Sequence, residues 1–113
     1  MNPLRFLFSR RQRLTKKSEF DVLYAIGSKR TVGPLLIHKV NNNLGYSRLG
    51  LSVPSRVGNA VVRNAIKRLC REAFRECQYD LSTGIDIVIT IRPHEKKSFS
   101  EYKELITKGI CNA

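Results

Sequence analysis

The chain has 113 residues, of which 42% are hydrophobic, which supplies one small core and excludes a second domain. Its formal net charge is +12, from 21 basic and 9 acidic residues, and its sequence pI is near 10.2. No acidic residue occurs between Asp21 and Glu72, so the middle of the chain must find its counter-charge in a partner. We expect a nucleic acid rather than a membrane, because membrane surfaces select helices with bulky apolar faces.

Residues 1–13 predict a basic arm, followed by a single domain at 14–113. The arm has too few apolar residues for a signal peptide or a membrane span, and although its composition resembles that of a transit peptide, a basic arm needs no organelle. Cys70 and Cys77 would lie about 10 Å apart on one helix, too far for a disulfide. The cysteines also lack zinc-site spacing, which favours a reducing, cytoplasmic location.

A first helix is predicted over residues 18–27, with Ser18 as N-cap and a glycine at its end. Its aliphatic side chains, which share one side, are Val22, Leu23 and Ile26. Phe20 and Tyr24 project from another side, more than about 90° away. If the aliphatic side packs on a sheet, the two rings line a surface or cleft; the alternative is that they belong to the core.

Two extended segments follow the first helix. Residues 31–40 are apolar with a Gly-Pro interruption, which predicts two short strands. Residues 47–53 alternate strictly, with Arg48, Gly50 and Ser52 on a polar, small-sided face that could form the floor of a groove. Because the connection between the segments is short, we expect an antiparallel hairpin.

The segment Arg56–Cys77 predicts a helix with two opposed faces, with Asn59 as its N-cap. The predicted core side consists of Val62, Ile66, Leu69, Ala73 and Cys77. The opposite side consists of Arg63, Asn64, Lys67, Arg68, Arg71 and Arg75. Basic residues there recur every fourth position, about 6 Å apart, which is close to the phosphate spacing of a nucleic acid. A merely solvated helix would intersperse acids among these cations.

The C-terminal part predicts one strand and one helix. The β-branched run at residues 85–91 is typical of an interior strand, and either Ser98 or Ser100 caps the last helix. The expected fold is therefore an α/β (α+β) two-layer sandwich of order α-β-β-β-α-β-α, in which helices cover a mixed sheet.

Candidate catalytic residues are few. His38 lies in an apolar strand, where a sheet-face or core histidine is the expected role, His94 lies in a charged loop, and Asp86 has no evident partner. No phosphate-binding glycine loop or nucleophile elbow occurs. The pattern therefore predicts a protein that binds and positions RNA. A helix-turn-helix DNA reader would need a second helix before the basic one, where residues 49–53 alternate like a strand.

The segment RVGNAVVRNAIKRLCREAFR resembles the signature of the bacterial ribonuclease P protein subunit. Three further segments are similar to the family, namely RLTKKSEF, LGLSVPSRVGN and IDIVITIRP. The resemblance implies that a large catalytic RNA, with Mg²⁺ bound mainly by RNA and substrate, removes the 5′ leader of precursor tRNA. The protein would assist as a non-catalytic subunit with no organic cofactor, membrane attachment or obligate protein partner. The resemblance also implies a left-handed β-α-β crossover.

The resemblance assigns two groups of residues. The expected contacts to the catalytic RNA are Arg56, Asn59, Arg63, Asn64, Lys67, Arg68 and Arg71. The residues expected to line a cleft for the leader of precursor tRNA are Phe20, Tyr24, Arg48 and Ser52. Where the family commonly has an arginine after the Arg-Asn pair, this chain has Ala65, so we expect modestly weaker RNA binding. A ribosomal or other structural RNA-binding protein is the second interpretation, and an independent nuclease is the third.

Overall fold

The structure, a computed structural model, describes residues 10–78 and 84–111. The helices are α1 (Lys17–Ile26), α2 (Ala60–Cys77) and α3 (Phe99–Cys111). The strands are β1 (Ser28–Val32), β2 (Leu35–Asn41), β3 (Arg48–Ser52) and β4 (Ile85–Ile91). The predicted element order and the α+β class are confirmed. Residues 1–9 of the predicted basic arm lie outside the described residues.

The four strands form one mixed sheet in the order β1-β2-β4-β3. β1 and β2 are an antiparallel hairpin turned at Gly33, whose φ of 57° suits glycine. β4 lies between β2, to which it is antiparallel, and β3, to which it is parallel. The predicted interior position of β4 is confirmed. β3 and β4 form a β-α-β unit through α2, whose handedness stays a prediction.

The predicted antiparallel hairpin between residues 31–40 and 47–53 is wrong, because β4 separates β2 from β3. The short connection crosses the end of β4 instead. Asn42 holds it there, since its Nδ2 donates to the Tyr46 carbonyl oxygen at 3.1 Å and to Asp86 Oδ1 at 2.8 Å. The physical reason is burial. The most apolar strand, β4, lies in the interior of the sheet, and β3, which has a polar face, lies at an edge.

The main core lies between one sheet face and helices α2 and α3. Ile87, Ile89 and Ile91 of β4 are fully buried there. α1 lies on the opposite face, where Leu23 packs with Leu14 and Val88. Of the aliphatic side of α1 only Leu23 packs on the sheet, whereas Val22 and Ile26 are 50% and 69% exposed. Of the two alternatives left open for the rings, Phe20 joins the small core and Tyr24 stays at the surface.

The helix starts show which predicted caps form. α2 begins after Asn59, whose Oδ1 accepts a hydrogen bond from the Val62 N–H at 2.9 Å, as predicted. α3 is capped by Ser98 rather than Ser100, since Ser98 and Glu101 exchange side-chain to backbone hydrogen bonds. Ser18 is not the N-cap of α1. That helix begins one residue earlier, and the Glu19 carboxylate accepts from the Lys16 N–H at 3.1 Å.

Candidate nucleic-acid interface

One side of α2 carries the predicted cations, and burial of the other side holds the helix in place. We call Arg63, Asn64, Lys67, Arg68 and Arg71 the basic face. The buried side of the helix consists of Ile66, Cys70, Ala73, Phe74 and Cys77. Arg63, Lys67 and Arg71 are half-buried beside it, and Asn64 and Arg68 are exposed. Arg63 is held at the start of the face, where its Nε donates to the Gly58 carbonyl oxygen at 3.1 Å. The rigid backbone of one helix therefore sets the spacing of the cations.

The acidic side chains of α2 form ion pairs with cations outside the basic face. Glu72 pairs with Arg75 at 2.7 Å, and Glu76 pairs with Lys103 of α3 at 3.0 Å. Partial burial, and secondly the positive charge of Arg13, lower the pKa of Arg71. Like charges are thus held together on this side of the protein, an arrangement that a bound anion would relieve.

The two predicted RNA contacts before α2, Arg56 and Asn59, have different roles. Arg56 is exposed in a short 3₁₀ turn at Ser55–Val57. Asn59 is also exposed, but its side-chain oxygen is committed to the cap of α2. Of the predicted RNA contacts here, Arg56 presents a charge to solvent and Asn59 primarily shapes the helix start.

The end of the basic arm packs beside the basic face. Gln12 is buried, and its Nε2 donates to the Ser47 carbonyl oxygen at 3.2 Å and to Gln78 Oε1 at 2.6 Å. The Leu14 N–H donates to the Leu49 carbonyl oxygen at 2.9 Å. Packing therefore joins residues 12–14 to the edge strand β3 and to the end of α2.

The sheet face under α1 is organised in rows across the strands. The strand register gives three rows: Ser52-Thr90-Leu36-Thr31, Gly50-Val88-His38-Lys29 and Arg48-Asp86-Val40. Phe20 of α1 covers the middle row, since a Cβ on Gly50 would lie 2.7 Å from Phe20 Cζ. We call the first row the open row, because its side chains are half-buried or exposed beside α1.

Tyr24 lies where α1 meets the open row. It is 43% exposed, and its hydroxyl lies 3.5 Å from Thr90 Oγ1. Its ring meets the His38 ring edge-on, with centroids 5.0 Å apart. The two predicted aromatic residues therefore differ: Phe20 packs against the small core under α1, whereas Tyr24 offers ring surface to a ligand.

Arg48 lies at the other end of β3 and is held by acids. Its Nε and a terminal nitrogen donate to the two oxygens of Asp86 at 2.8 and 2.6 Å, and Glu19 lies 3.6 Å away. The pair raises the pKa of Arg48, chiefly through this hydrogen bonding. Ser52 is four residues along β3, roughly 13 Å away, and Phe20 covers the strand between them. The predicted leader residues therefore form two patches, not one.

Sequence reasoning did not identify Asp86, Thr90 or His38 as parts of this region. No local signal could, because only the pairing of β4 with its neighbours brings them under α1. His38 is buried as predicted for a sheet-face histidine, 7% exposed, and its Nδ1 has no hydrogen-bond partner in the described part of the chain. Burial, and secondly the charge of Lys29, lower its pKa.

The region offers little support for metal binding or membrane insertion. Within residues 10–78 and 84–111, no group of three or more His, Cys, Asp and Glu side chains could hold a metal ion. The oxygens of Asp86 already accept from Arg48 and Asn42. No helix over the same residues has both the length and the apolar character to span a membrane.

Comparisons with known proteins agree with this geometry. The Ribonuclease P family model matches residues 8–112. A ribonuclease P protein component of Alkaliphilus metalliredigens is 41% identical over 93 residues, which is 82% of each chain. The RNase P protein structure of Thermotoga maritima superposes with a TM-score of 0.80 at 27% identity, covering 89% of this chain and 96% of that one. The Staphylococcus aureus protein gives 0.79 at 28% identity, covering 89% and 95%.

Proposed function

The chain belongs to the ribonuclease P protein family, and we propose that it binds RNA through two separate surfaces on opposite faces of its sheet. As a member, it is a subunit of the ribonucleoprotein endoribonuclease that processes the 5′ ends of tRNA, and the RNase P RNA is its partner. The proposal concerns which residues meet which RNA.

The first surface is an assembly surface for the catalytic RNA, made of the basic face together with Arg56 and Asn59. One observation carries the proposal: the two acids of α2, Glu72 and Glu76, form ion pairs with Arg75 and Lys103, which lie outside the basic face. Such a surface neutralises backbone phosphates and releases their counterions. Its regular spacing suits a structured RNA backbone.

The second surface is the cleft beside α1, which we propose binds the single-stranded leader of precursor tRNA. Tyr24 would stack on a base above the open row, where Ser52 and Thr90 offer hydroxyl groups. Phe20 would set the distance between α1 and the sheet. Arg48, fixed by Asp86, would meet the leader backbone at the far end of β3.

We propose that the protein supplies no catalytic group. The described acids near the cleft hold Arg48 or cap α1, so Mg²⁺ would be bound mainly by the catalytic RNA and the substrate. There the metal would activate water and stabilise the charge of the phosphodiester transition state. We propose a cytoplasmic location, no organic cofactor and no obligate protein partner.

Incubating the protein with precursor tRNA and Mg²⁺, with and without the catalytic RNA, tests this division of labour. We expect cleavage only when the RNA is present and stimulation by the protein at low Mg²⁺. Cleavage by the protein alone would indicate an independent nuclease, and absence of stimulation would favour a structural RNA-binding protein.

Tyr24→Ala separates the two surfaces. This variant should weaken holoenzyme binding of precursor tRNA but not of mature tRNA, because only the precursor carries a leader. Equal loss for both RNAs would contradict the assignment of the cleft to the leader.

A further inference from the structure

An apolar cavity lies between α2 and the segment that precedes α3. Its volume is about 280 Å³. Val62, Ala65 and Leu69 of α2 form one wall, and His94, Lys96 and Lys97 lie across from them. Val62 is 42% exposed despite its place in the predicted core sector, because it lines this open cavity rather than the packed core. None of the proposed RNA contacts lines this cavity.

The cavity suits a flat, apolar group attached to an anion. It is slightly smaller than the roughly 300 to 1,000 Å³ of pockets for drug-sized ligands, which matches a single aromatic heterocycle. Lys96 is exposed and Lys97 half-buried at its rim; Glu101 lies 3.9 Å from Lys97, at the outer limit of an ion pair. Apolar walls with cations at the rim complement a nucleobase and its phosphates.

The cavity lies next to one end of the basic face, because Arg68 is three residues after the cavity residue Ala65 and the two are neighbours on the helix surface. An unstacked nucleotide of an RNA bound on the basic face would have to cross only the surface of α2 to enter the cavity. We propose that the cavity receives an unstacked nucleobase of the catalytic RNA, with its phosphates at Lys96 and Lys97. This inference rests on the proposed assembly surface.

His94 would supply a fixed stacking surface. Its Nδ1 lies 2.7 Å from the Arg92 carbonyl oxygen, and its Nε2 lies 2.7 Å from the hydroxyl of the buried Tyr102. With both ring nitrogens engaged by the protein, the imidazole presents its face rather than a free hydrogen-bonding edge. The cavity should therefore accept a base by shape and stacking, with weak discrimination among bases.

The first test is a titration of the full-length protein, followed by the NMR signals of the Val62 and Leu69 methyl groups. Millimolar adenosine 5′-monophosphate should shift both, whereas ribose 5-phosphate should shift neither, because it lacks the base. Equal shifts from both compounds would reduce the site to phosphate binding and overturn the proposal. An acidic leucine-containing peptide that shifts the methyl groups when the nucleotide does not would overturn it in favour of protein docking.

The second test fills the cavity in the assembled particle. Ala65→Leu adds apolar volume at an exposed helical position without changing charge, and should weaken binding of the catalytic RNA about tenfold. The slope of affinity against salt should stay unchanged, because no phosphate contact is lost. Val61→Leu, one turn earlier on the helix and outside the cavity, is the matched control.

The outcomes separate this inference from the proposed function. If the unchanged protein binds the RNA and Ala65→Leu binds it equally well, the cavity proposal fails and the assembly surface stands. If the unchanged protein does not bind the RNA at all, the assembly surface itself is wrong.

Discussion

Asp86 does more than its isolation in the sequence suggests. It is 6% exposed, and it orients Arg48 on one side and Asn42 on the other. The same carboxylate thus positions a cation of the cleft that we propose binds the leader, and it secures the connection between β2 and β3. A charge-assisted pair of this geometry restricts Arg48 to one orientation.

Asp86→Asn should lower the free energy of unfolding by about 2 kcal/mol, because it removes a charge partner and leaves Arg48 poorly compensated. Urea denaturation measures the change. Asp21→Asn is the control, since solvent screens the exposed Lys17–Asp21 pair and its loss should change the stability little. Equal effects of the two substitutions would show that the Asp86 network has no special weight.

His38 predicts a pH dependence of stability. Burial lowers its pKa below the usual value of 6.5, so the unfolded chain binds a proton that the folded protein resists. Stability should therefore be complete above pH 6.5 and fall as the pH decreases below it. His38→Phe, which keeps a ring against Tyr24, should flatten the stability between pH 7 and pH 5 in urea titrations. An unchanged slope in this variant would assign the dependence to other groups.

At the scale of elements, α2 is amphipathic: one side packs in the core, and the other carries the basic face, which we propose binds RNA. Its first turn depends on Asn59, which the family resemblance places among the RNA contacts and the structure places in the cap. A side chain whose oxygen already accepts from the helix influences RNA mainly through the geometry of Arg63 and its neighbours.

Substitutions at Asn59 should separate these roles. Asn59→Ala should cost about 1 kcal/mol of stability, whereas Asn59→Ser, which can still cap the helix, should restore most of it. Thermal denaturation measures stability, and filter binding measures affinity for the catalytic RNA. If capping is the main role, the serine variant should bind RNA almost as well as the unchanged protein. A serine variant that is stable but binds weakly would indicate a direct contact.

Local patterns predicted the elements well, for physical reasons. The 3.6-residue period of residues 60–77, the alternation of residues 48–52 and the caps at Asn59 and Ser98 all depend on nearby residues. The pairing of β3 with β4 was missed because it joins segments separated by a whole helix. Loop length alone favoured the hairpin, while burial of β4 favoured the observed order.

The candidate site divides in the same way. The basic face followed from periodicity, because one helix holds all its members. The cleft did not, since it depends on how α1 crosses the sheet. Val22 and Ile26 are as apolar as Leu23 but remain exposed, and Phe20 fills the space above Gly50. Such placement is decided by packing between elements, which no window of sequence contains.

On the scale of the whole molecule, the sheet separates the two surfaces that we propose bind RNA. α2 lies on one face and α1 on the other, so under this proposal substrate and catalytic RNA would not compete for the same side chains. The net charge of +12 favours association with RNA in general. The separation of the two surfaces would direct substrate and catalytic RNA to different faces of the sheet.

Salt dependence should distinguish the charges of the assembly surface from the general charge. Lys67→Gln should reduce the slope of log affinity against log salt by about 1, because one phosphate contact is lost. Lys108→Gln removes the same charge from the exposed side of α3 and should leave the slope nearly unchanged. Equal slopes for both variants would show that binding follows net charge rather than the basic face.

β4 is the last strand in sequence and one of the two interior strands of the sheet. During translation, β3 has no partner strand, and the buried side of α2 has no complete sheet to cover, until residues 85–91 leave the ribosome. We expect an unfinished chain to present neither RNA surface in its final form. Entry into the ribonucleoprotein would then be reserved for chains that include β4, and copies truncated before residue 85 would not compete for the catalytic RNA.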